Sequence, residues 1–171
     1  MRFLELAKKR FSVRTYADKP VEQEKLDLIQ EAGQVAPTAC NFQPQRIYVA
    51  QSVEAREKLA SVCRFTFGAP VILVIGYDNT RDWKNKLMPG YESGETDAAI
   101  VCTHMMLEAE ELGLGACWVG YFDAAKIAQV LELPENITVS ALLPMGYPAE
   151  GAKPLPLHSQ FRDPSEIVEY I

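Results

Sequence analysis

The chain has 171 residues and a formal net charge of −6, with 48% apolar and 23% charged residues, the proportions of an ordinary globular protein. Its length suits one domain over residues 1–171, able to bury about 70% of its unfolded surface. The acidic balance argues against a nucleic-acid partner, and no apolar run nears the ~20 residues of a bilayer span. Charges interrupt the first residues where a signal peptide would be apolar. Four widely spaced cysteines (Cys40, Cys63, Cys102, Cys117) form no CxxC pair, which suits reduced thiols in a cytoplasmic protein.

A short amphipathic segment over 3–9 leads into Arg10, Phe11, Ser12, Arg14 and Thr15. Two arginines four apart around a serine make a poor core element. They suit a dianionic phosphate, because guanidinium forks give bidentate, charge-assisted bonds and the hydroxyl adds another. The alternative is a solvated basic helix end. Residues 21–35 place Leu26, Ile29 and Val35 on one face of an amphipathic helix that stops before Pro37. A strand is expected over 46–51, and a helix over 53–62 with Ser52 as its N-cap. The uninterrupted run Val71-Ile72-Leu73-Val74-Ile75 marks a strand buried on both faces.

Residues 80–94 are polar and turn-rich, with two exposed-looking aromatics, Trp83 and Tyr91, which either pack locally or stack over a planar ligand. A long helix follows over 96–112, almost wholly apolar from Ala98 to Leu107, with Asp97, His104, Glu108 and Glu111 as its polar stripe. The Gly113-Leu114-Gly115 triplet ends it. A short strand over 116–120, a helix over 123–131 capped by Asp123, and a strand over 138–146 complete the core. A proline-rich tail ends in the strand-like Ile167-Val168-Glu169-Tyr170-Ile171. Helices alternating with strands give an α+β fold, an α/β sandwich with a central mixed sheet flanked by helices.

The glycines at 113, 115 and 120 end a helix instead of opening one, so they do not make a Rossmann dinucleotide fingerprint. His104 and Glu108 lie one turn apart, but His158 is the only other histidine. No metal site is therefore expected, and His104 is better read as a helix-face hydrogen-bonding group. Cys117 reads as a small packed hydrophobe. No nucleophile–base pair is evident, and no catalytic side chain is assigned.

Four segments together resemble the FMN-dependent nitroreductase family: Arg10-Phe11-Ser12-Val13-Arg14; Ala36-Pro37-Thr38-Ala39-Cys40-Asn41-Phe42-Gln43-Pro44; the stretch from Asp97 to Gly113-Leu114-Gly115-Ala116-Cys117-Trp118-Val119-Gly120; and Leu143-Pro144-Met145-Gly146 with the Arg162-Asp163-Pro164 tail. The resemblance implies FMN bound at a homodimer interface. Arg10, Ser12 and Arg14 with Arg162 would hold its phosphate, and Phe11 would also lie at the cofactor. Pro37, Thr38, Asn41 and Gln43 of the partner would meet the ribityl chain and pyrimidine edge, and Trp118, Val119 and Gly120 would lie near the reactive ring. Trp83 and Tyr91 are the candidate substrate contacts. The tail would add a strand to the partner's sheet. The implied activity is NADH or NADPH oxidation by a ping-pong course, with nitroaromatics, quinones or similar small molecules as acceptors. Dehalogenation, flavin breakdown or plain flavin binding on the same fold are the alternatives.

Overall fold

The structure, a computed structural model, describes residues 2–171. Four strands, β1 (Gln45–Ala50), β2 (Val71–Asp78), β3 (Gly115–Ala116) and β4 (Ile137–Gly146), form one sheet in the order β1-β2-β4-β3. Every neighbouring pair is antiparallel, where a mixed sheet was expected. The excursion through α3 (Val53–Val62) leaves β1 at Ala50 and returns at Val71, and Ala50 and Ile72 are partners. It thus begins and ends at the same end of the sheet and makes no crossover, which a parallel pair would require. The one parallel pairing among the described residues is an isolated bridge between Ser12 and Ala116.

Strand periodicity assigns the two layers. Val71, Leu73 and Ile75 pack with α2 (Gln23–Val35) and α4 (Gly94–Glu111), while Ile72 and Val74 pack with α3 and α5 (Ala124–Val130). In β4 the phase changes: Ala141, Leu143 and Met145 face the α4 side, yet Val139 faces the other. The cause is a β-bulge. Ile75 pairs with Ala141 and Gly76 with Val139, leaving Ser140 as the extra residue. A side chain at Gly76 would collide with the Thr138 carbonyl, so the bulge needs a glycine opposite it.

Helix ends follow local chemistry. Ser52 accepts from the Ala55 N–H at 3.1 Å, and the Asp123 carboxylate accepts from Ala125 and Lys126. Helix α2 starts at Gln23, two residues later than the pattern suggests, because Glu22 is still extended and Val21 is buried outside the helix. Helix α4 starts two residues early, at a Gly94 pressed against the Tyr77 ring. It buries Ala98, Val101, Cys102, Met105 and Ala109, but Ile100, Met106 and Leu107 stay half-buried and Thr103 is exposed. The expected strand over 116–120 is split into β3 and a bridge from Val119 to Leu142. Between them the Cys117 N–H bonds the Pro144 carbonyl at 3.1 Å, and Pro144 has no N–H to return. Residues 167–171 form no strand within the chain and are exposed.

Candidate functional site

The Arg10–Arg14 segment leaves the end of α1 (Phe3–Lys9) and runs along the free edge of β3. The Val13 N–H bonds the Ala116 carbonyl at 3.1 Å, and the Tyr16 hydroxyl lies 2.9 Å from the carbonyls of both Val13 and Pro144. Burial pushes the Tyr16 phenol well above its ordinary range, so it stays a neutral hydroxyl. Behind the segment sits the buried Cys117, whose thiol is raised by burial, against the opposing pull of Arg14, Ser12 and Arg10. It packs as a small buried group.

Arg10, Phe11, Ser12 and Arg14 line a cavity of about 310 Å³, closed on the other side by Leu155, Leu157, His158, Gln160 and Phe161 of the tail. Phe11 and His158 meet edge to face, with ring centroids 6.4 Å apart. Arg14 donates to the Ser12 carbonyl at 3.1 Å, and Arg10 lies 4.0 Å from the Met106 sulfur. No carboxylate among the described residues pairs with either arginine. Two unneutralised guanidinium groups and a hydroxyl at one cavity are the donor set a phosphate dianion requires. Arg162 is exposed and does not join this lining.

Trp118 is half-buried and Val119 buried, while Gly120 is exposed. A side chain at Gly120 would meet nothing within 4 Å, and its φ is not in the left-handed region. Neither packing nor conformation within the chain demands glycine there, and the open space beside its backbone suits a flat ligand. Beyond it lies a second cavity, about 600 Å³, lined by Cys63, Arg64, Phe65, Tyr121 and Phe122 among others. Arg64 stacks 4.7 Å over the Phe65 ring, and Phe65 meets Tyr121 edge to face at 5.8 Å. Sequence reasoning passed over these residues. The available signal was the Phe65-x-Phe67 pair in a connector before a buried strand.

The Pro37–Gln43 loop sits elsewhere. Cys40, Asn41 and Gln43 all hold φ between +48° and +57°, an unusual concentration for non-glycine residues. Pro37, Asn41 and Gln43 are exposed, and the Thr38 hydroxyl accepts from the Gln43 N–H at 3.1 Å. The loop is fastened to the start of α4, where the Asp97 carboxylate accepts the Ala39 N–H at 2.9 Å. Asp97 is therefore buried, apart from the polar stripe expected of it, and His104 instead contacts the Ile100 carbonyl at 2.9 Å. Arg10 touches α4 at Met106, nine residues beyond Asp97. That separates the two polar clusters by about 14 Å along the helix. Trp83 and Tyr91 lie beside the Pro37–Gln43 end: Trp83 is half-buried, Tyr91 is exposed, and neither lines the two cavities above.

Known proteins share this architecture. A nitroreductase family protein of Clostridium difficile 630 superposes with a TM-score of 0.92 at 39% identity, over 99% of this chain and 98% of that one. A protein of Desulfovibrio desulfuricans solved in complex with FMN gives 0.83 at 30% identity, over 98% and 95%. The FMN reductase [NAD(P)H] of Bacillus subtilis (strain 168) is 31% identical over 93% of this chain and 69% of its own. The profile of the nitroreductase family matches residues 7–66 and 63–147, and the chain belongs to that family.

Proposed function

We propose that the protein is an FMN-dependent oxidoreductase that oxidises NADH or NADPH and passes the electrons to a small planar acceptor, a nitroaromatic or a quinone. The observation that carries this is the pair of unneutralised guanidinium groups, Arg10 and Arg14, with Ser12 at one cavity. The donor set fits the phosphate of FMN, and the open space at Gly120 leaves room for its ring. When bound, FMN supplies the hydride chemistry. The chain's own groups hold its phosphate through Arg10, Ser12 and Arg14; Arg162, outside this lining, is not needed to complete the donor set. The Gly120 N–H offers a donor to the ring edge, since the Val119 N–H is taken by the Leu142 carbonyl at 2.9 Å. Donor and acceptor use the same opening in turn, a ping-pong course, and the cavity walled by Phe65, Tyr121 and Arg64 receives the acceptor's planar body.

Two copies complete each site in this proposal. The 14 Å offset between the Asn41/Gln43 loop and the Arg10/Arg14 cluster of one chain supports a site in which the partner's loop supplies the amides that suit the ribityl chain. Two further features support a homodimer. The outer stripe of α4 and the exposed Phe3, Leu28 and Val35 border an apolar groove of about 690 Å³, and the tail ends in exposed Ile167, Val168, Tyr170 and Ile171, able to pair with a partner's sheet edge. The test is the absorbance spectrum of the purified protein, followed by heat release and mass identification of the cofactor. FMN released at about one per chain is expected. FAD, or no flavin after incubation with excess FMN, would overturn the proposal.

A further inference from the structure

The polar groups at the N-terminal end of α4 are joined in a way that neither the family resemblance nor the two cavities explain. Asp97 is 2% exposed, and Asp82 and Ser93 are 3% exposed. One Asp97 oxygen accepts the Ala39 N–H at 2.9 Å, and the other accepts the Ser93 hydroxyl at 2.7 Å. The same Ser93 oxygen accepts the Trp83 N–H at 3.1 Å, and the Ser93 N–H donates to the Trp83 carbonyl at 3.0 Å. Next to them, Asp82 accepts the Gly94 N–H at 3.2 Å and pairs with Lys84 at 2.7 Å, and Lys84 reaches Glu92 at 2.8 Å. An unbroken hydrogen-bonded chain therefore runs from Ala39 through Asp97 and Ser93 to Trp83.

We infer that Asp97 is a positioning residue that couples the Thr38–Gln43 loop to the loop carrying Trp83 and Tyr91, so that the two reach a bound cofactor and acceptor as one unit. Among the described residues, the Ala39–Asp97 bond is the one hydrogen bond that leaves residues 38–43; the others close within the loop. A loop with three non-glycine residues in the left-handed region keeps that shape only if its surroundings hold it. The chemistry of the link requires a carboxylate. It must accept two donors on two different oxygens, one from an amide and one from a hydroxyl, while an asparagine would offer one acceptor and turn an NH₂ toward Ser93. The position in the first turn of α4 also favours a negative charge there. Burying Asp97 at this point is stable because both oxygens are satisfied and the helix end faces it.

The inference rests on the proposal that the 38–43 loop meets FMN, and the experiment separates the two. Hydrogen–deuterium exchange is measured on the purified, flavin-loaded parent and on Ser93→Ala and Asp97→Asn, together with FMN titration and steady-state kinetics with a nitroaromatic. Ser93 makes no hydrogen bond to the 38–43 loop, yet Ser93→Ala should speed exchange there and at Trp83 together. FMN affinity should fall about fivefold, the worth of one lost hydrogen bond. Acceptor KM should rise more than kcat falls, since the loops orient the ligands and donate no proton. Exchange in 38–43 that stays at the parent rate in Ser93→Ala, while Trp83 loosens, would overturn the coupling. If the parent binds no FMN, the cofactor proposal fails, and the exchange of the 38–43 segment still decides the coupling. Should Asp97→Asn fail to fold, Ser93→Ala alone carries the test.

Discussion

Gly115 lies directly against Val13, and a side chain at 115 would collide with both methyl groups of the valine. This contact seats the Arg10–Arg14 segment on the sheet edge, because the Val13 N–H and Ala116 carbonyl can then bond and aim both guanidinium groups at one cavity. Gly115→Ala should cost about 1–3 kcal/mol of stability by overpacking. It should also weaken FMN binding, although residue 115 carries no ligand-binding group. A melting curve and an FMN titration on the same variant check both effects.

The cation cluster makes a sharper demand. Charge-assisted bonds are worth ~1.5–3 kcal/mol each, so Arg14→Ala should weaken FMN binding by about one to two decades. Because Arg14 is exposed and pairs with no carboxylate among the described residues, its loss should leave the melting temperature nearly unchanged. Unchanged FMN affinity by fluorescence titration would remove Arg14 from the phosphate site.

The aromatic cavity beside Gly120 and the Trp83/Tyr91 loop are rival acceptor contacts. Tyr121→Ala and Phe65→Ala, in the cavity, should raise acceptor KM while the bound flavin content stays near that of the parent. Trp83→Ala and Tyr91→Ala should act on KM as well if the partner's loop reaches the same opening. Kinetics altered only by the first pair would assign the acceptor to the cavity alone.

Stability should depend on pH through Asp78. The Thr80 hydroxyl at 2.6 Å, then Asn136, the Thr80 N–H and Arg46, hold its carboxyl below its ordinary 3.8. A depressed carboxyl stabilises the fold in full above its unfolded value and loses that contribution as pH falls through the lower folded value. The acid limb of the melting temperature below about pH 4 should therefore be shallower in Asp78→Asn than in the parent.

Thiol reactivity follows burial. Cys63, Cys102 and Cys117 are buried, and burial pushes the Cys102 thiol up to about 12, whereas Cys40 is exposed in the Asn41/Gln43 loop. One thiol per chain should react quickly with an aromatic disulfide reagent, and Cys40→Ser should abolish that phase. Saturating FMN should slow it if the loop faces the cofactor.

Much of the fold was legible because its signals are local. The β-branched run at 71–75 and the serine and aspartate caps at 52 and 123 needed nothing beyond their own neighbours. The direction of strand pairing was not legible, since it depends on where the α3 excursion returns, and an amphipathic helix of ten residues serves a crossover or a return equally well. The phosphate cluster showed in the sequence because its residues are adjacent. Arg64, Phe65 and Tyr121 come together only after folding, from segments more than fifty residues apart. The burial of Asp97 was hidden for a similar reason: its partners are a backbone amide at 39 and a serine at 93. Helical periodicity alone had placed it with His104 and Glu111.

Mixing two damaged variants tests the shared site most directly. Arg14→Ala carries an intact Asn41/Gln43 loop, and the Asn41→Ala/Gln43→Ala double variant carries an intact cation cluster; each alone should bind FMN weakly. If every site takes its cations from one chain and its amides from the other, a mixed dimer holds one doubly damaged site and one fully intact site. Co-expression and isolation of the mixed dimer with two different tags should then restore parent-like affinity at one FMN per dimer. Mixed dimers that bind no better than either variant would place both elements in the same chain's site and contradict the two-chain arrangement.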